Sequence, residues 1–139
     1  MKNNKISLML VDDDEVDVMS VQRAFKKINI TNPLHIAHNG VEALAMLRGE
    51  NGPQVRPTII LLDLNMPRMG GLEFLEILRA DPDLKSISVV VLTTSRDEQD
   101  KVQAFDYNVA GYIVKPITPG DFVAAMATFD KYWTLSETP

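Results

Sequence analysis

Asp12, Asp13, Asp14, Asp63, Thr93 and Lys115 combine residue types and placement that suit chemistry at phosphorus. Each closely follows a short apolar run, and in an open α/β sheet ligands bind outside the carboxyl ends of the strands. Carboxylates converging on one crevice raise one another's pKa unless a cation neutralises them, so a divalent metal is implied. Oxygen donors without His or Cys select a hard cation. Mg2+ with a phosphoryl ligand fits best, because Mg2+ takes one or two carboxylates and keeps several waters. Asp63 is then placed to act as a nucleophile towards a phosphoryl group, forming an acyl phosphate. Lys115 supplies a point charge to one phosphoryl oxygen and the Thr93 hydroxyl a hydrogen bond to another.

A single acid at a strand end is more often a helix cap or turn former than a nucleophile. Four strand ends that together offer acids, hydroxyls and a lysine reverse that reading for Asp63. A lysine that closes a buried apolar strand immediately before Pro116 is likewise hard to explain as a solvated surface charge. Asp14 is expected to be the N-cap of the first helix, with Asp17 three residues later completing a capping box, and stays outside the metal set. His35 and His38 have no convergent carboxylate at the other strand ends and are read as surface residues.

Five elements must position these groups. The runs 6–11, 34–37, 59–62, 87–92 and 112–114 are read as strands. The third and fourth are almost unbroken Ile, Leu and Val, as parallel strands covered on both faces require, whereas the second is short and mixed and belongs at an edge. Val18, Val21, Phe25 and Ile28 trace a first amphipathic helix, and Phe122, Met126, Phe129 and Trp133 a last one. A short second helix is expected near 39–47, followed by a loop over 48–57. Ser95-Arg96-Asp97-Glu98 reads as a capping box opening helix four, and Thr118-Pro119-Gly120-Asp121 as the start of helix five. Alternation with right-handed crossovers gives an α/β, flavodoxin-like, doubly wound sheet of five parallel strands, order 2-1-3-4-5, flanked by five helices.

The 139 residues suit one domain, with a core over 6–133 and a tail, 134–139, that is expected to fray. With 14 basic against 19 acidic residues the chain lacks the basic footprint that a nucleic acid or an anionic membrane would need. The absence of Cys excludes disulfides and thiolate metal sites. Neither a signal peptide nor a membrane span is visible, and the expected location is the cytoplasm.

Leu10-Val11-Asp12-Asp13-Asp14, the run Leu62-Asp63-Leu64-Asn65-Met66-Pro67-Arg68-Met69-Gly70-Gly71, Val91-Leu92-Thr93 and Val114-Lys115-Pro116 together resemble the motifs of response-regulator receiver domains. The resemblance implies phosphoryl transfer from a histidine kinase, or a phosphotransfer protein, to Asp63. It implies Mg2+ held by the side chains of Asp13 and Asp63 and the backbone carbonyl of Asn65, with Asp12 holding a metal water. Thr93 is expected to move towards the phosphoryl group and Tyr112 to turn inward, reshaping an output face made by helix four, strand five and helix five. The Lys115-Pro116 bond is expected to be cis, and Asn65 and Ser95 occupy positions that modulate the acyl-phosphate lifetime. Such a chain is a signalling phosphoacceptor that catalyses its own phosphorylation and dephosphorylation, not an enzyme acting on a separate substrate. Leu92-Thr93-Thr94-Ser95 and Tyr132-Trp133 resemble the small regulators paired with bacterial phytochrome kinases. Because no output domain follows Trp133, a stand-alone regulator is expected. Trp133 and Leu135 suggest a homodimer through helix four, strand five, helix five and the tail.

Two rivals fit less well. A haloacid-dehalogenase type enzyme needs a second Asp two residues after the nucleophile, where this chain has Asn65. A nucleotide or flavin binder needs a phosphate-cradling loop after strand one, where Asp12-Asp13-Asp14-Glu15 would repel phosphates.

Overall fold

The computed structural model describes residues 7–64, 66, 69–93, 107–115 and 117–126. Residues 1–6, Asn65, the Lys115-Pro116 bond, the expected helix four with Thr94 and Ser95, and Phe129, Trp133, Leu135 and the tail lie outside the described residues, as does the side chain of Met126.

The strands are β1 (Leu8–Val11), β2 (Leu34–Ala37), β3 (Ile59–Asp63), β4 (Ser88–Thr93) and β5 (Gly111–Val114). They form one parallel sheet in the order β2-β1-β3-β4-β5, with β2 at an edge as its mixed sequence requires. The described helices are α1 (Glu15–Lys27), α2 (Gly40–Arg48), α3 (Gly71–Ala80) and α4 (Pro119–Met126). Four helices are therefore described where five were expected, and α4 corresponds to the expected helix five. No described helix is long and apolar enough to cross a membrane.

Period-two alternation divides the strand residues between two apolar layers. Met9, Val11, Ile60, Leu62, Val89 and Val91 pack with Leu44 and Leu47 of α2 and Phe74, Leu75 and Leu78 of α3. Leu8, Leu10, Ile59, Leu61, Val90 and Leu92 pack with Val18, Val21 and Phe25 of α1 and Phe122 of α4. The Phe25 and Phe122 rings meet with centroids 4.7 Å apart and tilted by 48°, locking α1 to α4 beneath the sheet. Phe74 and Phe122 are fully buried on opposite faces, and truncation of either to Ala is expected to cost about 3–5 kcal/mol.

Local signals fix where the helices begin and end. Asn39 caps α2 by accepting from the Glu42 N–H at 2.8 Å, and Gly49 closes it in the left-handed region at φ 70°. Gly71 opens α3 so close to the end of β3 that an added Cβ would lie 2.6 Å from both the Asp63 carbonyl oxygen and the Leu64 Cα. Only a residue without a side chain permits that approach, which seats α3 directly behind Asp63.

Candidate functional site

Strand register brings the expected residues to one level. Val11 pairs with both Ala37 and Leu62, so Asp12 emerges one residue beyond the rung that precedes Asp63. Asp63 pairs with Leu92, and Thr93 with Val114. The Lys115 N–H then donates to the Thr93 carbonyl oxygen at 2.8 Å, carrying the lysine to the same edge. Asp12, Asp63 and Thr93 are all buried, at 0%, 3% and 2% exposure, unlike ordinary acids and hydroxyls at strand ends.

The Lys115 ammonium is the hub. Nζ lies 3.1 Å from Asp63 Oδ1, 3.1 Å from Asp12 Oδ2 and 2.5 Å from Asp17 Oδ2. Asp12, Asp17 and Asp63 each present an oxygen within 4.8 Å of the others. Asp12 Oδ1 accepts from the Asp14 N–H at 2.9 Å, while its buried Oδ2 meets Lys115 as an ion pair outside hydrogen-bond alignment and has no hydrogen-bond partner among the described residues.

Burial is the main cause that pushes the Asp12 carboxyl up to about 7, opposed by the Asp14 N–H and reinforced by the charge of Asp63. Burial alone would lower the Lys115 pKa, but the hydrogen bond to Asp17 and the charges of Asp12 and Asp63 outweigh it and raise it. One ammonium thus faces three carboxylates, more than it can neutralise, and the surplus negative charge points to a cation.

The family of response regulator receiver domains matches residues 8–127 of the sequence. The chain belongs to that family. The response regulator Rcp1 of Synechocystis sp. (strain ATCC 27184 / PCC 6803 / Kazusa) is 37% identical over 128 residues, 91% of this chain and 87% of that protein. The solved bacteriophytochrome response regulator RtBRR superposes with a TM-score of 0.85 at 33% identity, covering 97% of this chain and 84% of that one. The Mn(2+)-bound form of Rcp1 superposes with a TM-score of 0.75 at 34% identity, covering 96% and 99%. Receiver domains are signalling components of two-component systems and are phosphorylated on an Asp.

Receiver domains bind Mg2+ or Mn2+ at an acidic pocket, and the donors of this one fit a hard cation. Its acids are all oxygen donors, one of them the hydrogen-bond-orphaned Asp12 Oδ2. Asp13 is exposed at the turn between β1 and α1 and is not among the three mutually facing carboxylates. Tyr112 is half-buried against the layer that contains α2 and α3, and burial raises its pKa. His38 sits at the surface between Glu42, 3.1 Å away, and Glu15, 3.5 Å away, in keeping with its assignment as a surface residue.

One expectation of this receiver domain needs correction. Asp14 is the N-cap of α1, accepting from the Val16 N–H at 2.8 Å, but Asp17 does not complete a capping box. The Asp14 N–H that a box would satisfy is taken by Asp12 Oδ1, and Asp17 turns instead to Lys115. The sequence carried a signal for this. Asp17 stands four residues before Val21 and seven before Ala24, so it continues the buried stripe of α1, and a carboxylate there requires a partner.

Proposed function

We propose that this chain is a single-domain response regulator, with its receiver core over 6–133, that accepts a phosphoryl group on Asp63 from a histidine kinase in a Mg2+-dependent reaction. The observation that carries the reading is the buried Asp63 carboxylate with the Lys115 ammonium 3.1 Å from its Oδ1. In the transfer, an Asp63 carboxylate oxygen forms the new O–P bond as the P–N bond to the donor imidazole breaks, with its electron pair passing to the imidazole nitrogen. Lys115 and the Thr93 hydroxyl hold phosphoryl oxygens whose charge grows in the transition state. Asp13, Asp63 and the Asn65 carbonyl would hold Mg2+, with Asp12 on a bound water; the cation supplies neutralisation of the phosphoryl charge. The same residues would return the group to water, so the domain catalyses its own phosphorylation and dephosphorylation.

The output reading has Thr93 and Tyr112 as switch residues acting on the face made by the expected helix four, β5 and α4. Val114 on β5 and Val123 on α4 support it, because both are apolar and about half exposed. A homodimer through this face and the tail, in the cytoplasm, with a bacterial phytochrome among the candidate kinases, completes the proposal. The similarity to Rcp1 and to a bacteriophytochrome response regulator supports the choice of kinase.

Incubation with acetyl phosphate and Mg2+ should add one phosphoryl mass to the parent and none to Asp63→Asn. An unlabelled parent, or equal labelling of the variant, would contradict the reading. Size-exclusion chromatography should show a dimer that is lost on removal of residues 131–139; the same monomer mass with and without them would sink the dimer.

A further inference from the structure

We propose, building on the phosphoacceptor reading, that Asp17 is a positioning residue for phosphoryl transfer, holding the Lys115 ammonium at the height where it meets Asp63. Asp17 lies in the first turn of α1 and Lys115 just beyond β5, 98 residues apart in sequence, and their contact ties a helix on one face of the sheet to the far edge strand.

A solvated acid in the first turn of a helix is ordinarily accounted for by the helix dipole. Asp17 is different, because its side chain is only 15% exposed and it directs Oδ2 at a lysine that is itself 7% exposed. Of the three described carboxylates around Nζ, Asp17 stands nearest, at 2.5 Å against 3.1 Å for Asp12 and for Asp63, and it accepts a hydrogen bond, whereas Asp12 Oδ2 is misaligned. Asp63 changes its chemistry when it is phosphorylated, and Asp12 and Asp63 are drawn on by a cation. Asp17 is therefore the anchor that persists through the reaction. A lysine stem has four rotatable carbons, and without a fixed acceptor on the α1 side its ammonium would sample positions from which it misses the phosphoryl oxygen. With Asp17 in place, one donor stays committed and the others remain free to follow the group on Asp63.

A double-mutant cycle on the full chain tests this, with the initial rate of acetyl phosphate labelling read by intact mass at saturating Mg2+. Asp17→Ala should slow labelling about tenfold, the loss expected of one hydrogen bond to a charged group. Asp17→Asn keeps an oxygen acceptor at the same place and should stay within roughly threefold of the parent. In a Lys115→Ala background, Asp17→Ala should have no further effect, since the group it positions is gone. Asp17→Ser, whose hydroxyl stops short of Nζ, runs the same cycle if alanine impairs folding. Parental rates in both Asp17→Ala and Asp17→Ser, or an equal fall in the Lys115→Ala background, would overturn the proposal. Absence of labelling of the parent on Asp63 would instead overturn the phosphoacceptor reading.

Discussion

Lys115 Nζ lies 3.1 Å from Asp63 Oδ1, and both side chains are less than a tenth exposed. A buried pair of this kind is costly to break from one side, because the charge left behind has no solvent to return to. Lys115→Met, which leaves Asp12, Asp17 and Asp63 uncompensated, should destabilise the cation-free protein by about 3 kcal/mol in urea denaturation. Added Mg2+ should recover part of that loss while acetyl phosphate labelling stays slow. Equal stability of variant and parent without divalent cation would contradict the pairing.

Asp12 makes stability depend on pH. Its folded pKa of about 7 stands above the ordinary value of 3.8, so between those limits the folded protein binds more protons than the unfolded chain. Stability of the cation-free protein should therefore fall as pH rises from about 4 to about 7, by about 2 to 4 kcal/mol in all, and stay low above that. Asp12→Asn should flatten the slope in urea melts across this range. Mg2+ affinity should rise with pH through the same window, because the cation competes with the proton. A cation-free parent that gains stability steadily across that interval would count against the Asp12 assignment.

Gly71→Ala places a Cβ 2.6 Å from backbone atoms of Asp63 and Leu64, and backbone cannot move aside as a flexible side chain can. The variant should lose about 1–3 kcal/mol and also label more slowly, since the shift falls on the nucleophile itself. Thermal melts and labelling rates read the two effects; a variant with unaltered rate would show that the end of β3 relaxes without consequence.

Among the described residues, Arg79 binds backbone rather than acids. Its guanidinium donates to the carbonyl oxygens of Tyr107 at 2.6 Å, Lys85 and Ile87 at 2.8 Å each, and Asn108 at 3.2 Å, fastening the entries to β4 and β5 together. Arg79→Met should cost about 2 kcal/mol, through carbonyls left without donors, and leave the rate of Asp63 labelling unchanged. Lys in place of Arg79 should rescue little, because one ammonium cannot span four acceptors. Full stability in either variant would dismiss the clamp.

Much of this architecture was legible in the residues. The all-apolar runs around Ile60 and Val90 marked central parallel strands, and the mixed sequence of β2 marked an edge, because burial on two faces demands apolar residues at every position. Asp12, Asp63, Thr93 and Lys115 were legible as a group because each ends or directly follows a strand, and the shared polarity of parallel strands sends all such positions to one side of the sheet. Arg79 was not legible, since its partners are carbonyl oxygens that every residue possesses and no side-chain type announces them.

The amino-acid sequence by itself determined the α/β alternation, the order of the chemical groups along the chain and their arrival at one edge, because these follow from local periodicity and strand direction. Only the tertiary structure decided how the Lys115 charge is shared. Which of several nearby acids meets one ammonium depends on how far α1 is rotated and displaced over the sheet, which is set by packing such as that of Phe25 on Phe122. With α1 seated this way, Asp17 is a partner of Lys115 instead of the expected cap partner of Asp14, and the buried Asp12 Oδ2 meets the same ammonium at 3.1 Å outside hydrogen-bond alignment.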